Sequence, residues 1–175
     1  MSLTAPDRIW WKPLGWQEKL WVAIAFVWCL VLFLMMPLWG VVGKQNNPVE
    51  TYRVTPADFF RIASTFIEKH TVGNERGVPV VRPPAGGEAY LIARIWQWTP
   101  ILELKRGETY RLHVSSLDLQ HGLSIQPLNM NFQVLPGYDY VLTFTPTQVG
   151  EFSLICNEYC LIGHHTMTGK IIVKE

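Results

Sequence analysis

From Leu20 to Gly43 the chain runs for about 24 residues without a charged side chain. No other stretch restricts the possible structure as much. In hydrocarbon a lone segment satisfies its own N–H and C=O groups only as a helix. At about 1.5 Å per residue, the run covers the roughly 30 Å core of a bilayer. Trp10, Trp11, Trp16 and Trp21 at one end and Trp39 at the other suit the membrane–water boundary. A cleaved export signal is the competing reading. It fits poorly, because the run is too long and Met35-Met-Pro-Leu-Trp39 offers no small-residue cleavage site. Charged residues make up 17% of the sequence, against about 25% in soluble proteins. That shortfall also points to a membrane-embedded part.

Arg8, Lys12 and Lys19 precede the run, whereas Lys44 and Arg53 follow it. This weak asymmetry favours a cytoplasmic N-terminus and an exported C-terminal part. Pro37 lies late in the span, where a kink is tolerable, and Cys29 within it reads as a small packing residue. Glu18, beside Lys19 at the mouth of the span, has two readings. It is either a solvated interfacial charge or a proton-uptake carboxylate at a junction with another membrane subunit.

Residues 44–88 read as a connector. Thr55-Pro-Ala-Asp58 has the form of a helix start, with Thr55 as the cap, Pro56 at the first helical position and Asp58 near the positive end. Phe59, Ile62, Ala63 and Phe66 follow at helical spacing and give an apolar face. Residues 71–87, rich in Gly and Pro, read as a loop.

Residues 89–175 read as the compact domain. Apolar alternation marks strands over 90–98, 101–105, 109–115, 122–125, 131–135, 140–145 and 170–173. Seven short strands with frequent turns and no helical period predict a Greek-key β-sandwich. There is no internal repeat, and a net charge of +1 gives no sign of a nucleic-acid partner.

One stretch of this domain carries chemistry. Cys156-Asn-Glu-Tyr-Cys160-Leu-Ile-Gly-His164-His-Thr-Met167 has the form C-x3-C-x3-H-x2-M. Thiolate, imidazole and thioether form a soft-to-borderline donor set, which suits copper better than magnesium, calcium or manganese. His121, on the loop expected after the third strand, is the candidate for a further ligand, as in a cupredoxin-type sandwich. A mononuclear blue site would take His121, Cys160, His164 and Met167 and leave Cys156 unused. Two thiolates on one loop can instead bridge two copper ions, each with one imidazole. Structural zinc leaves the three-residue spacing and the Met unexplained, and a Cys156–Cys160 disulfide in an oxidising compartment reads as an artefact of missing copper. His165 reads as exposed or supporting, His113 as a packed strand residue, and His70 as isolated.

The motif C-x3-C-x3-H-x2-M, with Ser116-Leu-Asp-Leu-Gln-His121-Gly122 upstream, resembles subunit II of the haem–copper oxygen reductases. The resemblance covers the anchor and residues 89–175. It implies an all-β cupredoxin-like Greek-key sandwich preceded by one N-terminal transmembrane α-helix. It also implies a dinuclear copper centre (CuA), with Cys156 and Cys160 as bridging thiolates and His121 and His164 as terminal imidazoles. Met167 and the Glu158 backbone carbonyl would be the axial donors. The function implied is electron transfer in a respiratory cytochrome c oxidase. Electrons would arrive from a c-type cytochrome or small copper protein and pass to haem in the catalytic subunit I, where oxygen is reduced.

The single span is similar to the short B-type (ba3-like) bacterial enzymes. That implies a bacterial inner membrane, a copper domain on the periplasmic face, and a proton-channel role for Glu18. Relatives often carry a Trp-Tyr-Trp run where electrons arrive; Trp96-Gln-Trp98 stands here, so Trp96 and Trp98 are both candidates. In A-type relatives the glutamate matching Glu158 also binds magnesium at the subunit I interface. A nitric oxide reductase with a similar subunit is the nearest alternative, and a free-standing membrane-tethered copper carrier is another. Charges nearly balance from Arg94 to Glu175, so apolar docking of the donor near the copper loop is expected rather than strong steering.

Overall fold

The computed structural model describes residues 13–43, 50–126 and 130–175. Arg8, Trp10, Trp11, Lys12 and Lys44, invoked above for orientation and the interfacial belt, lie outside the described residues. The chain divides into two units, 1–45 and 46–175.

The first unit holds α1 (Trp16–Val42), which is long and apolar enough to cross a membrane. Glu18 has a local task there. Its Oε2 accepts the Gly15 N–H at 2.6 Å, satisfying a backbone donor that the first turn leaves free. Pro37 lies inside the helix, and the Gly43 N–H closes its end on the Trp39 carbonyl at 2.8 Å.

The second unit is a two-sheet sandwich. Its elements are β1 (Glu50–Arg53), α2 (Pro56–His70), β2 (Thr71–Glu75), β3 (Val78–Val81), β4 (Glu88–Arg94), β5 (Gln97–Thr99) and β6 (Ile101–Lys105), followed by β7 (Tyr110–Ser116), β8 (His121–Gln126), β9 (Met130–Val134), β10 (Tyr138–Phe144), β11 (Gly150–Cys156) and β12 (Thr168–Lys174). One sheet has the order β1-β10-β7-β4-β5 and the other β2-β3-β6-β12-β11-β8-β9. Alternating inward residues such as Leu91, Leu102, Leu112, Leu123, Leu154 and Ile171 fill the space between the sheets and are buried. β4 runs parallel to β7, and β6 runs parallel to both β3 and β12.

The folded unit begins well before Ala89. β1 pairs with β10, and the expected loop 71–87 contains the hairpin β2–β3, whose second strand pairs with β6. The Gly and Pro content concealed this hairpin. Arg76 and Gly77 both have positive φ (52° and 85°), which a tight two-residue hairpin turn requires. Asn74 Oδ1 also accepts the Gly77 N–H at 2.9 Å. Pro79, which cannot donate to a ladder, lies just outside the β3–β6 register.

α2 starts as its residues predict, with Thr55 Oγ1 accepting the Asp58 N–H at 3.1 Å. Phe59, Ala63 and Phe66 are buried, whereas Ile62 faces out. The apolar face packs on the five-stranded sheet, where Phe59 and Ala63 cluster with Ile92 and Phe66 meets Tyr90 at 5.2 Å.

Three strand assignments differ from expectation. The run 90–98 splits into β4 and β5, which fold back antiparallel on each other. His121 opens β8 rather than sitting on a loop. β11 was not anticipated, although Phe152, Leu154 and Cys156 alternate inward along it. The loop that carries the Cys-His-Met motif therefore joins β11 to β12, antiparallel neighbours whose ladder extends to Ile155 and Thr168.

Candidate metal centre

β11 delivers Cys156 at its last residue, and antiparallel β12 departs from Thr168. The loop between them must return on itself. It does so through a left-handed Leu161 (φ 73°) and a short helical turn over His164–Thr166. The turn closes when the Met167 N–H donates to the His164 carbonyl at 3.2 Å. The Cys156 N–H then reaches the Met167 carbonyl at 3.1 Å, sealing the base of the loop. β8 pairs with β11, setting Leu123 opposite Cys156, so His121 at the start of β8 lies beside the same loop. At Gly122 an added Cβ would collide with Asn157 and Glu158. The motif's glycine is therefore required by this close approach.

The donors form two sets. Cys156 Sγ lies 3.8 Å from His121 Nδ1 and 3.3 Å from the Glu158 carbonyl oxygen. Cys160 Sγ lies 3.6 Å from His164 Nδ1 and 3.8 Å from Met167 Sδ. The two sulfurs are 3.6 Å apart, far beyond the ~2.05 Å of a disulfide, and both thiols are free. Each sulfur therefore has its own imidazole and its own weak donor. Cys156, Cys160, Met167 and His121 are all buried.

Burial, followed by the hydrogen bond and charge of Cys156, pushes the Cys160 thiol up to about 12. Two adjacent buried sulfurs cannot both ionise unless a cation joins them, and bound metal reverses that preference. Six donors in two sets exceed the four of a tetrahedral zinc site. Two thiolates, two imidazoles, a thioether and a carbonyl suit copper.

Asp118 supports this arrangement, and the motif quoted above contains it without revealing its task. With its proton on Nε2, His121 donates to Asp118 Oδ1 at 2.8 Å, which leaves Nδ1 to face the sulfur. Asp118 also accepts the Ile95 N–H at 2.6 Å and the Leu119 N–H at 2.6 Å. Burial pushes its carboxyl up, but the bonds from His121, Ile95 and Leu119 hold it below the usual aspartate value.

The two tryptophans prove unlike. Trp96, 40% exposed, donates its indole N–H to the Cys160 carbonyl at 2.9 Å. Its ring lies so close to Gly163 that a Cβ there would overlap it. Trp98 is 2% exposed and meets His121 edge-on at 6.3 Å. His165 is exposed, while the Glu158 side chain accepts from Gln133 Nε2 at 3.4 Å.

No family model matches the chain. Over 87 residues it is 36% identical to a cytochrome c oxidase subunit 2 of Thermus thermophilus, a match covering 49% of this chain and 64% of that one. The likeness is to a cytochrome c oxidase subunit 2. The chain spans less than two thirds of the curated relatives it matches, with 52% covered in a second Thermus thermophilus sequence of the same name. Among solved structures, a chain of a haem–copper terminal oxidase dimer superposes with a TM-score of 0.56 at 21% identity, covering 90% of this chain and 99% of that one. Rusticyanin from Thiobacillus ferrooxidans superposes with a TM-score of 0.50 at 17% identity, covering 71% and 97%. At these identities the likeness is one of fold, and the fold is cupredoxin-like.

Proposed function

We propose that this chain is the electron-accepting subunit II of a haem–copper cytochrome c oxidase, with a dinuclear copper centre held by His121, Cys156, Glu158 (through its carbonyl), Cys160, His164 and Met167. One observation carries the reading. Each of two buried sulfurs, 3.6 Å apart, has one imidazole Nδ1 and one weaker donor beside it. A mononuclear site would leave one of these sets without a purpose.

When bound, a copper pair supplies a one-electron carrier whose charge is shared between two ions. The chain's residues keep that carrier from reorganising. Strands fix both ends of the loop, Asp118 fixes His121, and Trp96 fixes the Cys160 carbonyl. Burial of His121, Cys156, Cys160 and Met167 keeps water from most of the site, and six donors leave no position for a substrate, so oxygen chemistry belongs to a haem-bearing partner subunit. Trp96 is the favoured point of electron arrival, because it alone of the two tryptophans combines surface exposure with a bond to the ligand loop. Exposed Tyr159, Leu161 and Ile162 on that loop favour apolar docking of a c-type cytochrome or small copper protein.

In the same reading α1 anchors the chain in a bacterial inner membrane, with the sandwich on the periplasmic face. Glu18, besides capping α1, takes up protons at the subunit I junction. A magnesium ion at the Glu158 carboxylate would belong to the interface with that subunit. The names of the sequence relatives favour the oxidase over a nitric oxide reductase or a free-standing carrier.

The test is copper counting and electron paramagnetic resonance on the detergent-solubilised full chain. Two coppers sharing one unpaired electron, with a seven-line hyperfine pattern, are expected. One copper with a four-line pattern would overturn the dinuclear centre.

A further inference from the structure

We infer that the outer face of the five-stranded sheet carries a proton-binding cage around His113, which fastens β4 and β10 to β7 and loosens as the solution turns alkaline.

His113 sits in mid-β7, opposite Tyr90 of β4 and Val141 of β10. It is buried, and its ring stacks on Tyr90 at 4.6 Å. Both ring nitrogens face carboxylates. Nδ1 lies 2.7 Å from Asp139 Oδ2, and Nε2 lies 2.5 Å from Glu88 Oε2. An ionised carboxylate only accepts hydrogen bonds, and a neutral imidazole has one N–H and one lone pair. A neutral ring therefore satisfies one carboxylate and turns its lone pair towards the other. The imidazolium satisfies both. A metal ion is a poor alternative occupant, since each ring nitrogen already lies within hydrogen-bond distance of a different carboxylate.

The surrounding charges favour the proton. From β7, Arg111 donates to Glu88 at 2.9 Å and to Glu50 of β1 at 2.7 Å. Glu50 also accepts from the Tyr52 hydroxyl at 2.5 Å. Glu50 and Glu88 thus share one guanidinium, and Asp139 pairs with His113 alone among the described residues. β10 contributes Asp139, with Tyr138 and Tyr140 beside it. β4 contributes Glu88 and Tyr90, whose hydroxyl is held above the usual phenol value by burial, then by Glu88 and Asp139. From α2, Phe59 and Phe66 pack on Tyr90, and the one titratable ring there, His70, lies against Phe66.

Asp139 depends on His113 more than Glu88 does, because Glu88 also accepts from Arg111. Asp139 Oδ1 is buried without a partner among the described residues, so the His113 ring supplies its side-chain donor. A buried carboxylate left without donors is costly. Burial works against the charged ring, but Asp139 and then Glu88 outweigh it, so His113 lies above the ordinary imidazole value. For a base raised on folding, the added stability is full below the unfolded value of about 6.5. It is lost as pH rises through the folded value. None of these groups is a candidate copper ligand.

The test uses the full chain in detergent, with nitrogen-15 histidine resonances followed against pH and His113 assigned by its loss in H113Q. The His113 midpoint should lie above about 6.5 and fall in both E88Q and D139N. The protection of the β1–β10 amides, measured against their unfolded exchange rate at each pH, should fall through that midpoint, about tenfold for each unit by which the midpoint is raised. In H113Q protection should be low at every pH, without that step. If H113Q does not fold, the same step should shrink in D139N. A midpoint at or below about 6.5, one unmoved by D139N, or protection that ignores His113 titration would overturn the cage.

Discussion

Asp118 and His121, three residues apart, are joined through Oδ1 and Nε2 at 2.8 Å, and that bond turns the other ring nitrogen towards Cys156. The same carboxylate takes the Ile95 N–H, so one side chain holds both a ligand and the segment bearing Trp96. Asp118→Ala frees both. Copper affinity should fall on the order of 10–100-fold, the usual cost of losing a hydrogen-bond partner of a ligating histidine. Competition with a chelator of known affinity would measure it. A variant that held copper as tightly as the parent would rule out this supporting role.

Met167 is fully buried and 3.8 Å from Cys160 Sγ, so packing and ligation are entangled in it. Met167→Leu separates them. Nearly conserving volume, it should cost less than about 1.5 kcal/mol in thermal unfolding of the metal-free chain. Copper should still bind, because thiolates and imidazoles remain, but the visible spectrum and reduction potential should shift. Met167→Ala should cost about 2–5 kcal/mol by opening a cavity. A spectrum unchanged by either variant would remove Met167 from the ligand set.

Trp96 rests against Gly163, where there is no room for a Cβ. Gly163→Ala should therefore push the indole off the ligand loop without removing a candidate ligand. The expected phenotype is normal copper content with slower reduction by a donor protein, read by stopped-flow absorbance. Trp96→Ala should reproduce it. Trp98→Ala should act mainly as a core truncation costing about 3–5 kcal/mol. Equal slowing in all three variants would mean that Trp96 has no special part in electron arrival.

The candidate ligand loop was legible because its chemistry is local: four donor side chains lie within one short stretch, and the Glu158 carbonyl that faces Cys156 lies between them. His121 was legible only through a distant motif, since strand pairing, not spacing, brings β8 alongside β11. Asp118 stood in that motif, yet its task depends on the imidazole and on Ile95, 23 residues upstream. The β2–β3 hairpin was obscured because Gly73 and Pro79 are poor strand residues in general, and pairing of β2 with β3, and of Val80 and Val81 with β6, overrides that preference. His113 looked like an ordinary packed strand residue. Its carboxylates come from two neighbouring strands, 25 and 26 residues away, which no local pattern records.

That upstream pairing makes the domain boundary testable. A piece beginning at Ala89 would lack α2 and β1–β3. The outer face of β4 would lose Phe59 and Phe66 from Ile92 and Tyr90, and β6 would lose its partner β3. An uncovered, partly apolar sheet edge and face invite association with other chains. The piece 89–175 should therefore aggregate or melt without cooperativity, whereas 46–175 should stay monomeric and unfold in one transition. Gel filtration and circular dichroism melting would compare them. Within 46–175, Phe59→Ala should cost about 3–5 kcal/mol, because that ring is almost wholly buried against the sheet. If 89–175 instead melted cooperatively at the same temperature as 46–175, α2 and the early strands would be an accessory layer rather than part of the fold.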